Sequence, residues 1–288
     1  MSEKKADLFL FLTAALWGMS IIFTNIAYSE NIKTFQMMFF RFFPSAIIIF
    51  IVFGKSMFPI NKTAVINGLL LGIINFVSYA FELLAVSKSQ PSKVAFLLSV
   101  TVVAVPLINW AIKKKTPHMH TIIAAFITMA GVGFMSLKSN FTINIGDNFA
   151  IISGLCVAVN AIMLSYLKKD CPIMQMTFFQ FIAIAILSFG GYIIEGSHSA
   201  INIVGGAAIA YNAVVSSVVC FALKNLAMPH TSPAKGSIIL STESIFCTIF
   251  SVLVLNEHIT LRIIIGAVLI FAAVFMEEGL PKGETDER

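Results

Sequence analysis

Charge is scarce in this sequence. Asp, Glu, Lys and Arg supply 11% of its 288 residues, where a soluble domain carries about 25%. Cysteine is scarce as well: Cys156, Cys171, Cys220 and Cys247 lie far apart with no C-x-x-C pair. Neither a disulfide framework nor a zinc site is expected from them, and they read as polarisable apolar filler. There is no Walker lysine motif, which argues against an ATP drive. No H-E-x-x-H or G-x-S-x-G occurs, and no paired carboxylates share a short span, so no catalytic constellation is in view. The expectation is a protein that is not an enzyme and has no cofactor and no metal. The net charge of +5 is not gathered into a basic stripe with interleaved aromatics, so nucleic acid is not expected as a partner.

What remains is apolar. Hydrophobic residues make up 58% of the chain, and they fall in long runs. A helix needs about 20 apolar residues to cross the hydrocarbon core, and lipid offers no partner for a free backbone group, so spanning runs must be helices. Ten runs are read, at approximately 7–28, 32–54, 63–87, 91–112, 119–138, 147–168, 174–195, 205–228, 233–254 and 259–277. The first follows Lys4 and Lys5 as a signal peptide would, but its length and the nine further runs make it an uncleaved span. Connections are short and punctuated by proline at Pro91, Pro117, Pro172 and Pro233. The fold class expected is all-α: a polytopic membrane protein of ten transmembrane helices. A polar tail, 278–288, closes the chain.

Lys and Arg set the orientation. With a cytoplasmic N-terminus, thirteen of them fall on the cytoplasmic side, Lys224 and Lys235 included, and five on the other; Arg41 lies within a span. Both termini are therefore expected in the cytoplasm, with the chain in the cytoplasmic (inner) membrane.

The two halves repeat. Gln36-Met37-Met38-Phe39-Phe40-Arg41-Phe42 matches Gln175-Met176-Thr177-Phe178-Phe179-Gln180-Phe181 at offset 139. Asp7-Leu8-Phe9 matches Asp147-Asn148-Phe149 at offset 140. Pro91-Ser92-Lys93 matches Pro233-Ala234-Lys235, and Ser99 matches Ser241, at offset 142. An odd number of spans per half turns the second half over, giving an inverted repeat, an architecture common in secondary transporters. The expected units are 1–140 and 146–277. Lys115 and its mate Glu257, on opposite faces, fit that inversion.

Several of these residues also resemble a known family. Leu16-Trp17-Gly18, the lone Arg41 of the second span, Ser232-Pro233-Ala234, the stretch Leu240 to Phe246, and Leu255-Asn256-Glu257 followed by Gly266-Ala267 resemble the drug/metabolite transporter superfamily with two EamA-type halves. The resemblance implies a ten-helix exporter-like fold with a cavity lined by spans 1, 3, 4, 6, 8 and 9, and with spans 5 and 10 peripheral. The chain departs from that pattern at Ser244, Lys115 and Val157-Ala158, where the family usually has Pro, Glu and Trp-Gly.

Ionisable groups inside spans are costly and usually functional. Arg41, Glu82 and Glu243 stand inside. Glu243, near the centre of the ninth span, must be paired, hydrated or protonated; it is the candidate for substrate binding or proton exchange, with an ion pair to Arg41 as the structural alternative. Arg41 is expected to face the bundle and bond carbonyls or a carboxylate. Glu82 lies a turn from Tyr79 and could meet substrate or Lys88. Asn160, Tyr211 and Ser99 are neutral candidates for the cavity wall, with Asn75, Thr101 and Asn212 more plausibly helix glue. Trp17 at mid-depth could stack on an aromatic or apolar substrate. The Phe39-Phe40 and Phe42-Phe43 face is expected to meet lipid. Gly68, Gly72, Gly131, Gly133 and Gly266 allow close helix packing or a homodimer through the peripheral helices. The expected function is export of a small metabolite, such as an amino acid or an amphipathic or cationic compound. The competing class is a non-transporting scaffold or sensor.

Overall fold

The structure, a computed structural model, describes residues 1–88, 91–114, 116–136, 144–167, 171–196, 199–255 and 260–278. Among the described residues there is no strand. The helices are α1 (Glu3–Ser29), α2 (Thr34–Phe53), α3 (Lys62–Lys88), α4 (Pro91–Leu98), α5 (Val100–Lys113), α6 (Met119–Ser136) and α7 (Ile145–Ser165). They continue with α8 (Ile173–Glu195), α9 (Ile203–Tyr211), α10 (Cys220–Ala227), α11 (Pro233–Leu240), α12 (Glu243–Leu255) and α13 (Leu261–Glu278). A π-helical segment, Asn212–Val219, joins α9 to α10. Helix therefore falls on every apolar run read from the sequence. Among the described residues, seven helical stretches are long and apolar enough to cross a membrane, and Met119–Met135 is a shorter apolar helix. Lys115, Asn256, Glu257 and the tail from 279 lie outside the described residues.

Local chemistry sets the helix starts. Asn144 and Asp147 form a reciprocal capping box at α7, satisfying two backbone donors that the first turn would leave open. The side chain of Asn202 accepts from Gly205 N at α9, and Ser232 accepts from Lys235 N at α11. At the end of α8, Gly196 takes φ +66°, the left-handed geometry that only glycine adopts without strain.

Packing runs mainly between the halves. α3 lies on α7 and α8, α2 on α8, α1 on α9, α10 and α12, and α6 on α13. Glycine permits several of these approaches. A Cβ on Gly68 would stand 2.5 Å from Met176 O, and one on Gly72 would stand 2.6 Å from Ala183 Cβ, so this G-x-x-x-G docks α3 onto α8 within the chain. Gly131 meets Gly266 in the same manner, joining α6 to α13.

Side-chain polarity is turned inside out relative to a water-soluble protein. Ile203 and Ile194 are 91% and 87% exposed, while Arg41, Lys224, Gln180, Asn212, Ser216, Ser217 and Asn225 are buried. Two readings need correction. Lys224, counted above among the charges of the cytoplasmic side, is buried inside the apolar stretch Ile203–His230. Phe42 does not meet lipid: it is fully buried among Tyr79, Phe181 and Phe221. Only the neighbouring Phe39, Phe40 and Phe43 form an outer aromatic face, completed by Phe189 and Tyr192.

Candidate functional site

The site begins with two broken helices. After α4, Ser99 N bonds Phe96 O at 3.1 Å and Val102 N bonds Ser99 O at 3.0 Å. After α11, Ser241 N bonds Ile238 O and Ser244 N bonds Ser241 O, each at 3.2 Å. These are i→i−3 bonds, tighter than an α-helix, and they occupy positions 142 residues apart. The serine hydroxyls repeat the pattern: Ser99 Oγ donates to Phe96 O at 2.6 Å and Ser241 Oγ to Ile238 O at 2.5 Å. Such back-bonding competes with the helical ladder. These i→i−3 bonds match between the two halves, although Ser241 N is shared with Ser237 O at 3.1 Å, and the halves diverge two residues later. Glu243 opens α12, while its counterpart Thr101 ties its hydroxyl to Gly154 O at 2.8 Å.

Gly18 sets how near α1 comes to that break. A Cβ there would lie 2.6 Å from Cys247 N and 2.7 Å from Phe246 Cβ. Trp17 is carried alongside, and its Nε1 donates to Ser216 O at 2.9 Å.

Arg41 locks α2 to the π-helical segment. Its Nε donates to Ser217 Oγ and a terminal nitrogen to Ser216 Oγ, both at 2.8 Å. The guanidinium also lies 5.0 Å from the Phe42 ring centre and 5.1 Å from that of Tyr79. Ser20 Oγ donates to Asn212 Oδ1 and stands 2.9 Å from Ser216 Oγ, whose hydroxyl can donate to it, and Ser45 Oγ donates to Ala213 O at 2.9 Å. A π turn widens the helix by one residue and often marks functional sites. Here its polar side chains meet groups from both α1 and α2.

The carboxylates are placed differently. Glu82 and Glu243 lie within electrostatic range of each other, of Arg41 and of Tyr79. Both are mostly buried, and neither closes an ion pair or hydrogen bond among the described residues. The Arg41–Glu243 pair expected as a structural alternative is therefore not formed among the described residues; two of the five Arg41 N–H groups go to serine instead. Likewise Glu82 makes no ion pair with Lys88, at the exposed helix end, among the described residues. Ion pairing is seen instead at the start of α1, where Lys235 Nζ stands 2.8 Å from both Glu3 and Asp7.

A cation that the sequence reading placed elsewhere completes the site. Lys224 Nζ donates to Asn160 Oδ1 at 3.1 Å and stands 4.7 Å from the Phe221 ring centre and 5.5 Å from that of Trp17. Two signals pointed to it: an apolar run that continues past residue 224, and an offset of 142 from Glu82, the same offset that relates Ser99 to Ser241.

Of the other candidates, the Tyr211 hydroxyl donates to Leu16 O at 3.2 Å and its ring stacks on Phe23. Ser99 serves the helix break. The structure thus gathers Trp17, Arg41, Tyr79, Glu82, Asn160 and Glu243 with Lys224 around the contacts between halves, sets Tyr211 against α1, and sets Ser99 into local structure.

Comparison with known proteins agrees with this architecture. The EamA-like transporter family matches residues 4–137 and again 144–276, and the chain belongs to that family. Two proteins of Archaeoglobus fulgidus described as uncharacterized transporters are similar. One is 28% identical over 272 residues, covering 94% of this chain and 85% of its own. The other is 25% identical over 287 residues, covering 95% and 97%. A solved crystal structure superposes with TM-score 0.82 at 13% identity, covering 95% of this chain and 96% of that one; at that identity the likeness concerns the fold.

Proposed function

We propose that this member of the EamA-like transporter family is a secondary transporter that exports a small metabolite across the cytoplasmic membrane by alternating access. Its ten crossings form two five-helix repeats, 1–140 and 146–277, inserted in opposite senses. Both termini are cytoplasmic, and 278–288 is a cytoplasmic tail. With Lys224 moved into the bundle, the excess of Lys and Arg on the cytoplasmic side still favours that orientation.

One observation carries the reading. Glu82 and Glu243 stand mostly buried within apolar helices, without direct partners among the described residues, and Glu243 opens the helix after one of two matched breaks. A carboxylate in a dry, sealed interior would be held at several kcal/mol or more. Hydration by a solute pathway removes that cost, and discontinuous helices at the repeat interface are where secondary transporters build midplane sites. A scaffold or sensor would be expected to close such groups into ion pairs, as Lys235 does with Glu3 and Asp7. The solute is an amino acid or a related amphipathic or cationic compound. Trp17, Tyr79, Glu82, Asn160 and Glu243 contact it or its proton, Arg41 acts in gating, and Tyr211 and Ser99 shape the wall. A homodimer would use the outer faces of α6 and α13, because the glycines of that pair are consumed by each other.

Glu243 exchanges the coupled proton. In proteoliposomes loaded with a mixture of amino acids, wild-type efflux should rise with an imposed pH gradient, while Glu243→Gln efflux should not respond to it. A Glu243→Gln variant that keeps the full dependence refutes proton exchange at that carboxylate. Failure of both proteins to move any solute refutes the carrier.

A further inference from the structure

Lys224 is a buried charge that the transport reading above leaves unused. It is 8% exposed, and no carboxylate pairs with it among the described residues. A buried ammonium is expensive unless its donors are met by acceptors. One of its three protons goes to Asn160 Oδ1 at 3.1 Å, and the rings of Phe221 and Trp17 supply weak cation–π contacts. No further acceptor touches it among the described residues.

Asn160 provides the second, independent observation. It is 2% exposed, and its Nδ2 has no hydrogen-bond partner among the described residues. The amide orientation is fixed chemically: an ammonium has donors only, so the atom facing Lys224 must be the oxygen. The nitrogen is then the unpaired side. Two adjacent residues thus offer unfilled donors, one of them charged, and a complementary group must carry negative charge and accept from both.

We infer that Lys224 and Asn160 form a subsite for the carboxylate of the transported solute, walled by Trp17 and Phe221. The inference rests on the carrier reading and deepens it. The repeat explains the choice of residues. Lys224 and Glu82 occupy the same position in the two halves, 142 residues apart. One half presents a cation and the other a carboxylate, so a zwitterionic solute finds a partner of opposite sign in each. Two N–H donors to one carboxylate, one of them ionised, are also stronger than neutral hydrogen bonds.

The test compares spent medium from cells expressing wild type, Lys224→Met, Asn160→Asp or an empty vector, by untargeted mass spectrometry. Met keeps the length and apolar packing of the stem without the charge. Asp places a carboxylate of the same shape against Lys224, satisfies the ammonium internally, and so preserves the fold while filling the subsite. Membrane content is measured by immunoblot, and export is normalised to it. Solutes enriched by wild type should bear a free carboxylate, and both variants should lower their normalised export about ten-fold or more, the size expected for loss of one charge-assisted hydrogen bond. Wild-type enrichment confined to solutes without a carboxylate overturns the subsite and leaves the carrier standing. So does undiminished export by either variant. No enrichment by wild type over the empty vector overturns the carrier, and the subsite with it.

Discussion

A single methyl group at Gly18 tests whether the approach of α1 to the broken helix holds the site together. An ideal Cβ there would lie 2.6 Å from Cys247 N, 2.7 Å from Phe246 Cβ and 2.9 Å from the Phe246 carbonyl carbon. Comfortable separations are about 3.5–4.0 Å, so α1 and α12 must part by about 1 Å. All three neighbours are backbone or Cβ atoms, and no rotamer change relieves them. Overpacking of this kind costs about 1–3 kcal/mol. Alanine returns up to about 1 kcal/mol of helix propensity over glycine, leaving a net loss of about 0–2 kcal/mol. For a chain of this size that corresponds to a fall of up to about 8 °C in melting temperature, and the full overpacking cost shows against a control that gains the same propensity. Gly190 in α8 is the matched control, because nothing lies within 4 Å of its would-be Cβ. Gly190→Ala should melt at or above the wild-type temperature. Thermal unfolding of the three purified proteins in one detergent decides the matter. A Gly18→Ala midpoint equal to that of Gly190→Ala refutes the close approach.

Two further outcomes follow from named contacts. Asn144→Ala removes half of the α7 capping box and should cost about 1 kcal/mol, read as a lower melting temperature that Asn144→Ser largely restores. Gly131→Val drives a side chain into Gly266 O and Ile270 Cγ1, each 2.8 Å from the ideal Cβ; it should lower the melting temperature by a margin like that of Gly18→Ala, and an unchanged midpoint would show that α6 and α13 are not pressed together.

The sequence was most informative where the bilayer dictates the answer. Apolar runs located the helices because unsatisfied backbone is not tolerated in hydrocarbon, and the two family matches fall on the two sequence repeats. Arg41, Glu82 and Glu243 could be picked out because charge within such a run is rare. Lys224 was not, because it stands one turn before the end of α10, where a lysine in a loop and a lysine in a bundle look alike. Phe42 was hidden by its neighbours: four phenylalanines in five residues cover every face of a helix, and only tertiary packing says which one turns inward. Nor could side-chain pairing be read. A guanidinium that finds two serines on another helix leaves no mark that distinguishes it from one that finds a carboxylate.

Arg41 and Gln180 are repeat mates, and both end up tied to the stretch from Asn212 to Ala227. Arg41 donates to Ser216 and Ser217 in the π-helical segment. Gln180 Oε1 accepts from Asn225 Nδ2 at 2.9 Å, and the same nitrogen stands 2.9 Å from Thr177 Oγ1. Equivalent positions in α2 and α8 thus grip one helix at two points. Ser217 and Asn225 are eight residues apart, about 12 Å at 1.5 Å per residue, beyond the 7–10 Å within which substitutions usually couple. The two grips should therefore act independently. In double-mutant cycles of stability, Arg41→Met with Ser217→Ala should show coupling of about 1 kcal/mol, within the range for interhelical bonds in membranes. Arg41→Met with Asn225→Ala should add to within about 0.5 kcal/mol. Under the proposed alternating access, independence would let one grip open while the other holds. Equal coupling in both cycles would mean that the stretch responds as one rigid body, and Arg41 could not then release its end of the helix without disturbing the end held by Gln180.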